Sequence, residues 1–172
     1  DVENHADRAV IASLKQLQAL KELNKKLRAN PEFKNVTEMA DKASLPIVDI
    51  GIGLNSGIAI VGEMGSSQRS DYTVIGDPIN LGARLESLCK YYDSKLNISN
   101  FTKERLTGNY IYRFLDLVTV KGKIVPIEIW QIHDFEDTKN PLFYSSKEKL
   151  LKELDAYHKA IALYKDAKFK HA

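Results

Sequence analysis

Three stretches of the chain repeat apolar residues at the spacing of an amphipathic helix. In the first, from about residue 3 to residue 29, they recur every three or four positions between Lys, Gln and Glu. This stripe predicts a helix that packs one face on a sheet, and Asn30-Pro31 predicts its end. A coiled-coil or partner helix is the alternative. The members of the stripe are Val10, Leu14, Leu17, Leu20, Leu23 and Leu27.

The second stretch follows a Gly-Asp-Pro sequence. Asp77 has the side chain of an N-cap, and Pro78 suits the first helical position. Asn80 and Arg84 are four residues apart, so they share a face, and a helix N-terminus with a fixed cation favours phosphate oxygens. On spacing alone, the alternative is an ion-paired surface arginine and a polar first-turn asparagine. The buried stripe of this helix is predicted to be Leu81, Leu85, Leu88 and Tyr92.

The third stretch covers residues 145–172, after a polar segment at 136–144 that predicts a linker. Ser145 and Glu148 have the spacing of a capping box, which predicts the start of another helix. Residues 157–172 loosely resemble the start of a tetratricopeptide-type repeat, a helix followed by a second helix, with a plain helical tail as the alternative. One repeat cannot bury a core by itself. The apolar stripe consists of Leu150, Leu154, Tyr157, Ile161 and Tyr164.

Alternating residues predict strands between these helices. Over residues 47–55 the apolar side chains point to one side and Gly51 and Gly53 to the other, so another element should approach the glycine side closely. Asn55-Ser56-Gly57 predicts a tight turn into a returning strand. Together the elements predict an α+β fold, a sheet with helices packed on it. The other predicted elements are a loop with a helical turn at 31–45, strands at 58–62 and 72–75 with a loop at 64–70 between them, a strand at 95–99, a helix at 100–106, and strands at 110–120 and 124–132.

Composition narrows the class of protein. The 172 residues are 44% hydrophobic and 28% charged, enough for one globular domain with a core. A net charge of +2 predicts no nucleic-acid partner. No apolar run approaches the ~20 residues that cross a bilayer, so we expect no direct membrane contact from this segment. The single cysteine, Cys89, excludes an internal disulfide and suits the cytoplasm. We expect a cytoplasmic protein or the cytoplasmic domain of a membrane-anchored sensor.

Two motifs carry a family resemblance. The segment Gly51 to Glu86, GIGLNSGIAIVGEMGSSQRSDYTVIGDPINLGARLE, closely resembles class III nucleotidyl cyclases, the catalytic domains of adenylate and guanylate cyclases, in their bacterial form. Pro78 and Gly82 are mild variations. The second match is V-x-V-K-G-K from Val118, followed by Pro126 and a final strand. Together the matches cover roughly residues 1–135, and they imply the ferredoxin-like-derived cyclase fold with a partial sheet, followed by a helical tail.

The resemblance implies four nucleotide-binding residues. Asn80 falls on the asparagine that orients the ribose, and Arg84 on the transition-state arginine. Lys121 falls on the lysine that contacts the triphosphate, although spacing alone favours a solvated hairpin lysine. Thr73 falls where the base is read, and a threonine there accompanies adenine-selective members. The implied function is formation of cyclic AMP and pyrophosphate from ATP in signal transduction. A guanylate cyclase, or an inactive dimerisation or regulatory module, is the alternative.

The resemblance also implies a site shared between two chains. The family's metal-binding aspartates lie on a segment before the long helix, and no part of this sequence matches that segment. None of the chain's aspartates matches a metal position, and the four histidines lack ligand spacing. We therefore expect Mg²⁺ or Mn²⁺ in the full-length protein and none bound by this fragment, which should be inactive alone. The active assembly is expected to be a head-to-tail homodimer, to which this chain gives the Asn–Arg half.

Overall fold

Helices alternate with strands along the chain. The computed structural model describes residues 3–66, 69–119, 126–139 and 141–165. A short 3₁₀ turn, Pro31–Phe33, connects the first two helices. The elements are α1 (His5–Ala29), α2 (Lys34–Lys42), β1 (Ile52–Leu54), β2 (Ile60–Ser66), β3 (Arg69–Ile75), α3 (Asp77–Tyr91), β4 (Leu96–Ser99), α4 (Asn100–Lys103), β5 (Tyr110–Val118), β6 (Ile127–Phe135) and α5 (Lys147–Lys165).

Four of the strands form a mixed sheet in the order β1-β4-β6-β5. β1 runs parallel to β4, whereas β6 pairs antiparallel with both β4 and β5. β2 and β3 pair only with each other, in an antiparallel two-stranded sheet. This partial sheet with packed helices is the predicted α+β architecture.

The two long predicted stripes cover opposite faces of the four-stranded sheet. Val10, Leu14 and Leu17 of α1 are buried against β4 and β6, which confirms the first half of the α1 stripe. Its second half is more open, and Leu23 is 44% exposed. Leu81 and Leu85 of α3 are buried on the other face. Alternation along β6 separates these faces: Ile132 belongs to the α1 cluster, and Ile127 and Ile129 belong to the α3 cluster.

The C-terminal helix α5 packs on β5. Leu150 and Leu154 are buried with Ile111, as the stripe predicted. The predicted capping box at Ser145 and Glu148 is wrong: Ser146 caps the helix, because its hydroxyl accepts from the Lys149 amide at 3.2 Å. In the segment predicted as a linker, the Leu142 amide donates to Asp134 at 3.0 Å. The tetratricopeptide-type repeat stays a prediction.

Two predicted loops contain more regular structure than expected. In the segment 31–45, predicted as a loop with a helical turn, the structure has the 3₁₀ turn and the nine-residue α2, which buries none of its residues. The polar stretch 64–70 is also largely strand, because backbone pairing of β2 with β3 continues through Glu63↔Tyr72 and Met64↔Asp71. Backbone hydrogen bonding does not require apolar side chains.

The tight turn predicted at Asn55-Ser56-Gly57 does not pair β1 with the next strand, since β2 pairs with β3 instead. Asn55 serves a different purpose: its amide donates to the Pro78 carbonyl at 2.9 Å and its carbonyl accepts from the Ser99 hydroxyl at 2.6 Å. These bonds connect the end of β1 to the first turn of α3 and to the end of β4.

Among the residues that the structure describes, no helix has the length and apolar character that crossing a membrane requires.

Candidate active site

The position of α3 is fixed by its contact with β1. A Cβ atom added at Gly53 would lie 2.3 Å from both the Gly82 carbonyl oxygen and the Glu86 amide nitrogen. One added at Gly51 would lie 2.8 Å from the Cβ of Cys89. The prediction that an element approaches the glycine side of β1 is therefore confirmed, and that element is α3. Any side chain larger than hydrogen would push the helix away from the strand.

Gly76, and not Asp77, precedes the first turn of α3. Gly76 has φ +153°, a backbone conformation that side-chain-bearing residues rarely adopt, and its carbonyl accepts from the Ile79 amide at 3.0 Å. The prediction of Asp77 as N-cap is wrong, because Asp77 is the first helical residue and no side chain caps this helix. A glycine that sharply redirects the chain performs the boundary role that the aspartate was expected to have.

Asn80 and Arg84 project from the same exposed face of α3, one turn apart. Burial of Leu81, Leu85 and Cys89 on the sheet fixes this orientation, and Leu88 and Tyr92 pack partly buried beside them. Asn80 and Arg84 both line a cavity of about 520 Å³. The rest of its wall comes from the segment after β1, the first turn of α3, the end of α4 and the start of β6. These other residues are Asn55, Ser56, Gly57, Ile58, Asp77, Pro78, Leu81, Phe101, Arg105 and Ile127.

The cavity carries unbalanced positive charge. Among the described residues, Arg84 and Arg105 have no carboxylate within ion-pair distance. Among the described residues that line the cavity, Asp77 is the one carboxylate. Sequence reasoning missed Arg105, because no motif marks it and its proximity to α3 arises only when α4 folds beside it. Two guanidinium groups on one cavity are suited to an anionic ligand.

The other two predicted site residues are not brought to this cavity. Thr73 lies half-buried in β3, paired with Gly62, and does not line it. Lys121 falls outside the residues that the structure describes. The structure therefore brings together the predicted ribose and transition-state residues, Asn80 and Arg84, and the roles of all four residues stay predictions.

A metal site requires a set of ligand side chains around one ion. In the described parts of the chain, no group of three or more His, Cys, Asp or Glu side chains could hold a metal ion. Asp49 is occupied by an ion pair with Lys95 at 2.6 Å. Cys89 is buried in contact with β1, and this burial raises the pKa of its thiol, which fits a residue that packs rather than reacts.

Comparison with known proteins places this geometry in a family. A family model described as "Adenylate and Guanylate cyclase catalytic domain" matches residues 1–134. A terminal-differentiation-specific adenylate cyclase from Dictyostelium discoideum is 39% identical over 92 residues, 52% of this chain and 4% of that protein. The chain spans less than a fifth of the length of such curated relatives.

Solved structures give the same result for the fold. A bacterial light-regulated adenylyl cyclase superposes with a TM-score of 0.61 at 25% identity, over 90% of this chain and 40% of that one. The guanylyl cyclase Cya2 superposes with a TM-score of 0.60 at 27% identity, over 82% of this chain and 64% of that one. Since the family match covers most of the sequence and the fold agrees with it, the chain belongs to the adenylate and guanylate cyclase catalytic domain family.

Proposed function

We propose that the protein containing this chain is an adenylate cyclase that forms cyclic AMP and pyrophosphate from ATP in signal transduction. The observation that supports the proposal is that Asn80 and Arg84 line the same cavity. Among the described residues, no carboxylate forms an ion pair with the arginine. The names of the Dictyostelium relative and of the light-regulated neighbour support adenylate over guanylate chemistry.

In the proposed reaction, the ribose 3′-oxygen attacks the α-phosphorus in line. A bond forms between the 3′-oxygen and the α-phosphorus, and the bond from the α-phosphorus to the bridging oxygen of the β-phosphate breaks. The bonding electrons leave with pyrophosphate, and the hydroxyl proton passes to solvent. Such a step depends on positioning and charge stabilisation more than on covalent chemistry.

The two residues on α3 supply complementary parts of this stabilisation. Arg84 presents a planar, permanently charged fork, which matches the charge that builds on the α-phosphate oxygens. Asn80, one turn earlier on the same face, hydrogen-bonds and orients the ribose. The buried face of α3 fixes the helix on the sheet, so the backbone positions of both residues are set before the nucleotide binds.

Two further residues complete the chain's proposed contribution. The Thr73 hydroxyl accepts a hydrogen bond from the adenine amino group, which favours ATP over GTP. Lys121 contacts the triphosphate as a point charge. Mg²⁺ or Mn²⁺ belongs to the proposal for the whole protein, with aspartates from a preceding segment as its ligands, because the described residues here form no such site.

The proposed assembly is a head-to-tail homodimer, and the β2–β3 sheet supports it. None of the buried clusters of the described chain includes a residue from this sheet. One face of this sheet carries three solvent-exposed apolar side chains, which are Val61 at 54%, Val74 at 40% and Tyr72 at 75% exposure. A contiguous apolar surface of this kind is typical of an interface with another chain.

The test compares Arg84→Ala with Lys90→Ala in the full-length protein, with ATP and either Mg²⁺ or Mn²⁺. Lys90 is the matched control, an exposed cation on the same helix outside the cavity. We expect Arg84→Ala to lower kcat by roughly 10²–10³-fold with unchanged melting temperature, and Lys90→Ala to change neither.

Unchanged turnover in Arg84→Ala would remove the arginine from the mechanism. No cyclic product from the wild-type protein at any metal concentration would favour the inactive regulatory module. A larger kcat/KM for GTP than for ATP would instead identify a guanylate cyclase. The fragment of residues 1–172, assayed alone, is expected to give no product.

A further inference from the structure

Arg105 lies in the same cavity as Arg84 but comes from a different element. It follows α4, and its guanidinium donates one hydrogen bond, from Nη1 to the Phe101 carbonyl at 2.5 Å. The described residues offer it no other hydrogen-bond partner and no carboxylate. Since a guanidinium carries five N–H groups, most of its donors are available to a ligand.

The position of Arg105 is set by a buried polar network under α4. The Ser99 hydroxyl accepts from the Thr102 amide at 3.3 Å, and the Thr102 hydroxyl donates to the Leu54 carbonyl at 3.3 Å. The Arg105 amide then bonds to the Thr102 carbonyl at 3.0 Å. Because Ser99 and Thr102 are buried, these bonds anchor the backbone at Arg105 to the end of β1. The side chain of Arg105 starts from this anchored point and lines the cavity.

The two arginines differ in what they can reach. Arg84 and Asn80 lie one turn apart on the same face of α3. They therefore act on neighbouring parts of a ligand, which are the ribose and the α-phosphate in the proposed function. Arg105 enters the cavity from the end of α4, beside Phe101 and Ile127. A ligand that satisfies both guanidinium groups needs negative charge at two separated places, as a polyphosphate has.

We infer that Arg105 binds the terminal phosphates of the nucleoside triphosphate and holds the pyrophosphate product in the same cavity. The anion's identity rests on the proposed function, whereas the cation pair is a property of the described structure. Of the described residues on the cavity wall, two arginines stand against the one carboxylate of Asp77, which gives that part of the wall a net positive charge. Removing one of them should weaken binding of the most highly charged ligands most.

The matched control is Lys103, the last residue of α4, two positions before Arg105. The ammonium of Lys103 stands 4.2 Å from the centroid of the Trp130 ring and 5.2 Å from that of Tyr112, and Lys103 does not line the cavity. Lys103→Ala therefore removes one positive charge from α4 without changing the cavity. Arg105→Lys keeps the charge and loses the planar fork, so it separates charge from geometry.

The experiment uses the full-length protein and measures inhibition by inorganic pyrophosphate, together with KM and kcat for ATP. We expect Arg105→Ala to raise the pyrophosphate inhibition constant and KM about tenfold, with a small change in kcat. Arg105→Lys should give an intermediate value, and Lys103→Ala should match the wild type. Thermal unfolding of each variant checks that the fold is kept.

If Arg105→Ala binds pyrophosphate as the wild type does, the inference is wrong, while an Arg84→Ala defect would leave the proposed function standing. If Lys103→Ala raises the inhibition constant as much as Arg105→Ala, the effect is general electrostatics and the inference also fails. If the wild type makes no cyclic nucleotide, titration of the wild type and of Arg105→Ala with pyrophosphate tests whether Arg105 binds phosphate. Binding that weakens about tenfold in Arg105→Ala supports the phosphate site although the proposed function has failed.

Discussion

Gly53 of β1 lies in backbone contact with Gly82 of α3, so close that a Cβ atom at Gly53 would stand 2.3 Å from the Gly82 carbonyl oxygen. The contact is not symmetric. A Cβ atom at Gly82 would stand 3.9 Å from the Gly53 carbonyl oxygen, an ordinary van der Waals distance. The strand glycine is therefore essential to the approach of the two elements, and the helix glycine is not.

This asymmetry predicts opposite effects for the same substitution. Gly53→Ala should lower the free energy of unfolding by about 2 kcal/mol or more, because it forces α3 off the sheet. Gly82→Ala should raise it by about 0.5–1 kcal/mol, because alanine is the better helix former. Urea denaturation of both variants measures the difference. Equal destabilisation by the two substitutions would show that α3 does not lie on β1 as described.

Thr73 offers a test of base selection that leaves the strand unchanged. Thr73→Val keeps the β-branched shape, which suits β3, and removes only the hydroxyl. We expect the ratio of kcat/KM for ATP to that for GTP to fall by about three- to tenfold, the value of one hydrogen bond. If the ratio is unchanged while turnover persists, Thr73 has a structural role in β3 and does not read the base.

The β2–β3 sheet can be tested as the surface that pairs two chains. Val61 and Val74 lie directly opposite each other and are 54% and 40% exposed. The double substitution Val61→Lys with Val74→Glu places opposite charges across the strands, which preserves their pairing while removing apolar surface. Sedimentation of the full-length protein should show a dimer dissociation constant raised at least about tenfold, with a parallel loss of activity.

Met39 on α2 provides the control for that experiment. It is 72% exposed and lies far along the chain from the two-stranded sheet, so Met39→Lys changes another apolar surface by one charge. The control should keep the wild-type dissociation constant. A dimer that tolerates the double substitution but not Met39→Lys would place the interface on α2 instead.

His133 makes the stability of the domain depend on pH. It is 7% exposed against the Tyr144 ring, and burial, together with the nearby charges of Arg113 and His158, lowers its pKa to about 4. Between the ordinary value of 6.5 and about 4, the unfolded chain binds a proton that the folded chain does not. The free energy of unfolding therefore falls as the pH falls through that window.

Substitution of this residue should flatten the profile. His133→Phe keeps a buried ring, and we expect its free energy of unfolding to fall less than that of the wild type between pH 7 and about 4.5. Burial also lowers the pKa of His158, so a smaller slope remains. His5→Gln at an exposed site is the control and should keep the wild-type slope. Identical slopes in His133→Phe and the wild type would show that His133 is accessible to protons when folded.

The sequence predicted the structure well wherever a residue type restricts packing directly. The stripe of α3, the glycine face of β1 and the Asn80–Arg84 pair were all readable, because periodicity and the absence of a Cβ have direct consequences for packing. The first residues of the helices were predicted less accurately. Asp77 and Ser145 are good caps in isolation, yet Gly76 and Ser146 precede the helices, because tertiary contacts set where each chain segment turns.

Residues that meet only through the fold could not be predicted. Arg105 lies far from Arg84 in sequence, and neither its spacing nor its neighbours suggest a shared cavity. The length of β2 and β3 could not be predicted either. Their pairing continues through polar residues, which are held in the sheet by backbone hydrogen bonds and leave no alternation of apolar side chains. Lys121 was identified by its motif. Its distance from Arg84 could not be predicted, because it depends on the fold of the connection between β5 and β6.

The Asp7 carboxylate has a consequence for how the domain opens. It accepts hydrogen bonds from the Thr107 amide and hydroxyl and from the Gly108 amide, each at 2.9 Å, and from the Tyr110 hydroxyl at 2.8 Å. Thr107 and Gly108 lie in a connection between α4 and β5, but their amides should exchange with solvent as slowly as the hydrogen-bonded amides of α1 that follow Asp7, as hydrogen exchange by NMR can measure. Asp7→Asn should release both amides together. We therefore expect this short connection to open only together with the start of α1, the longest helix of the described chain.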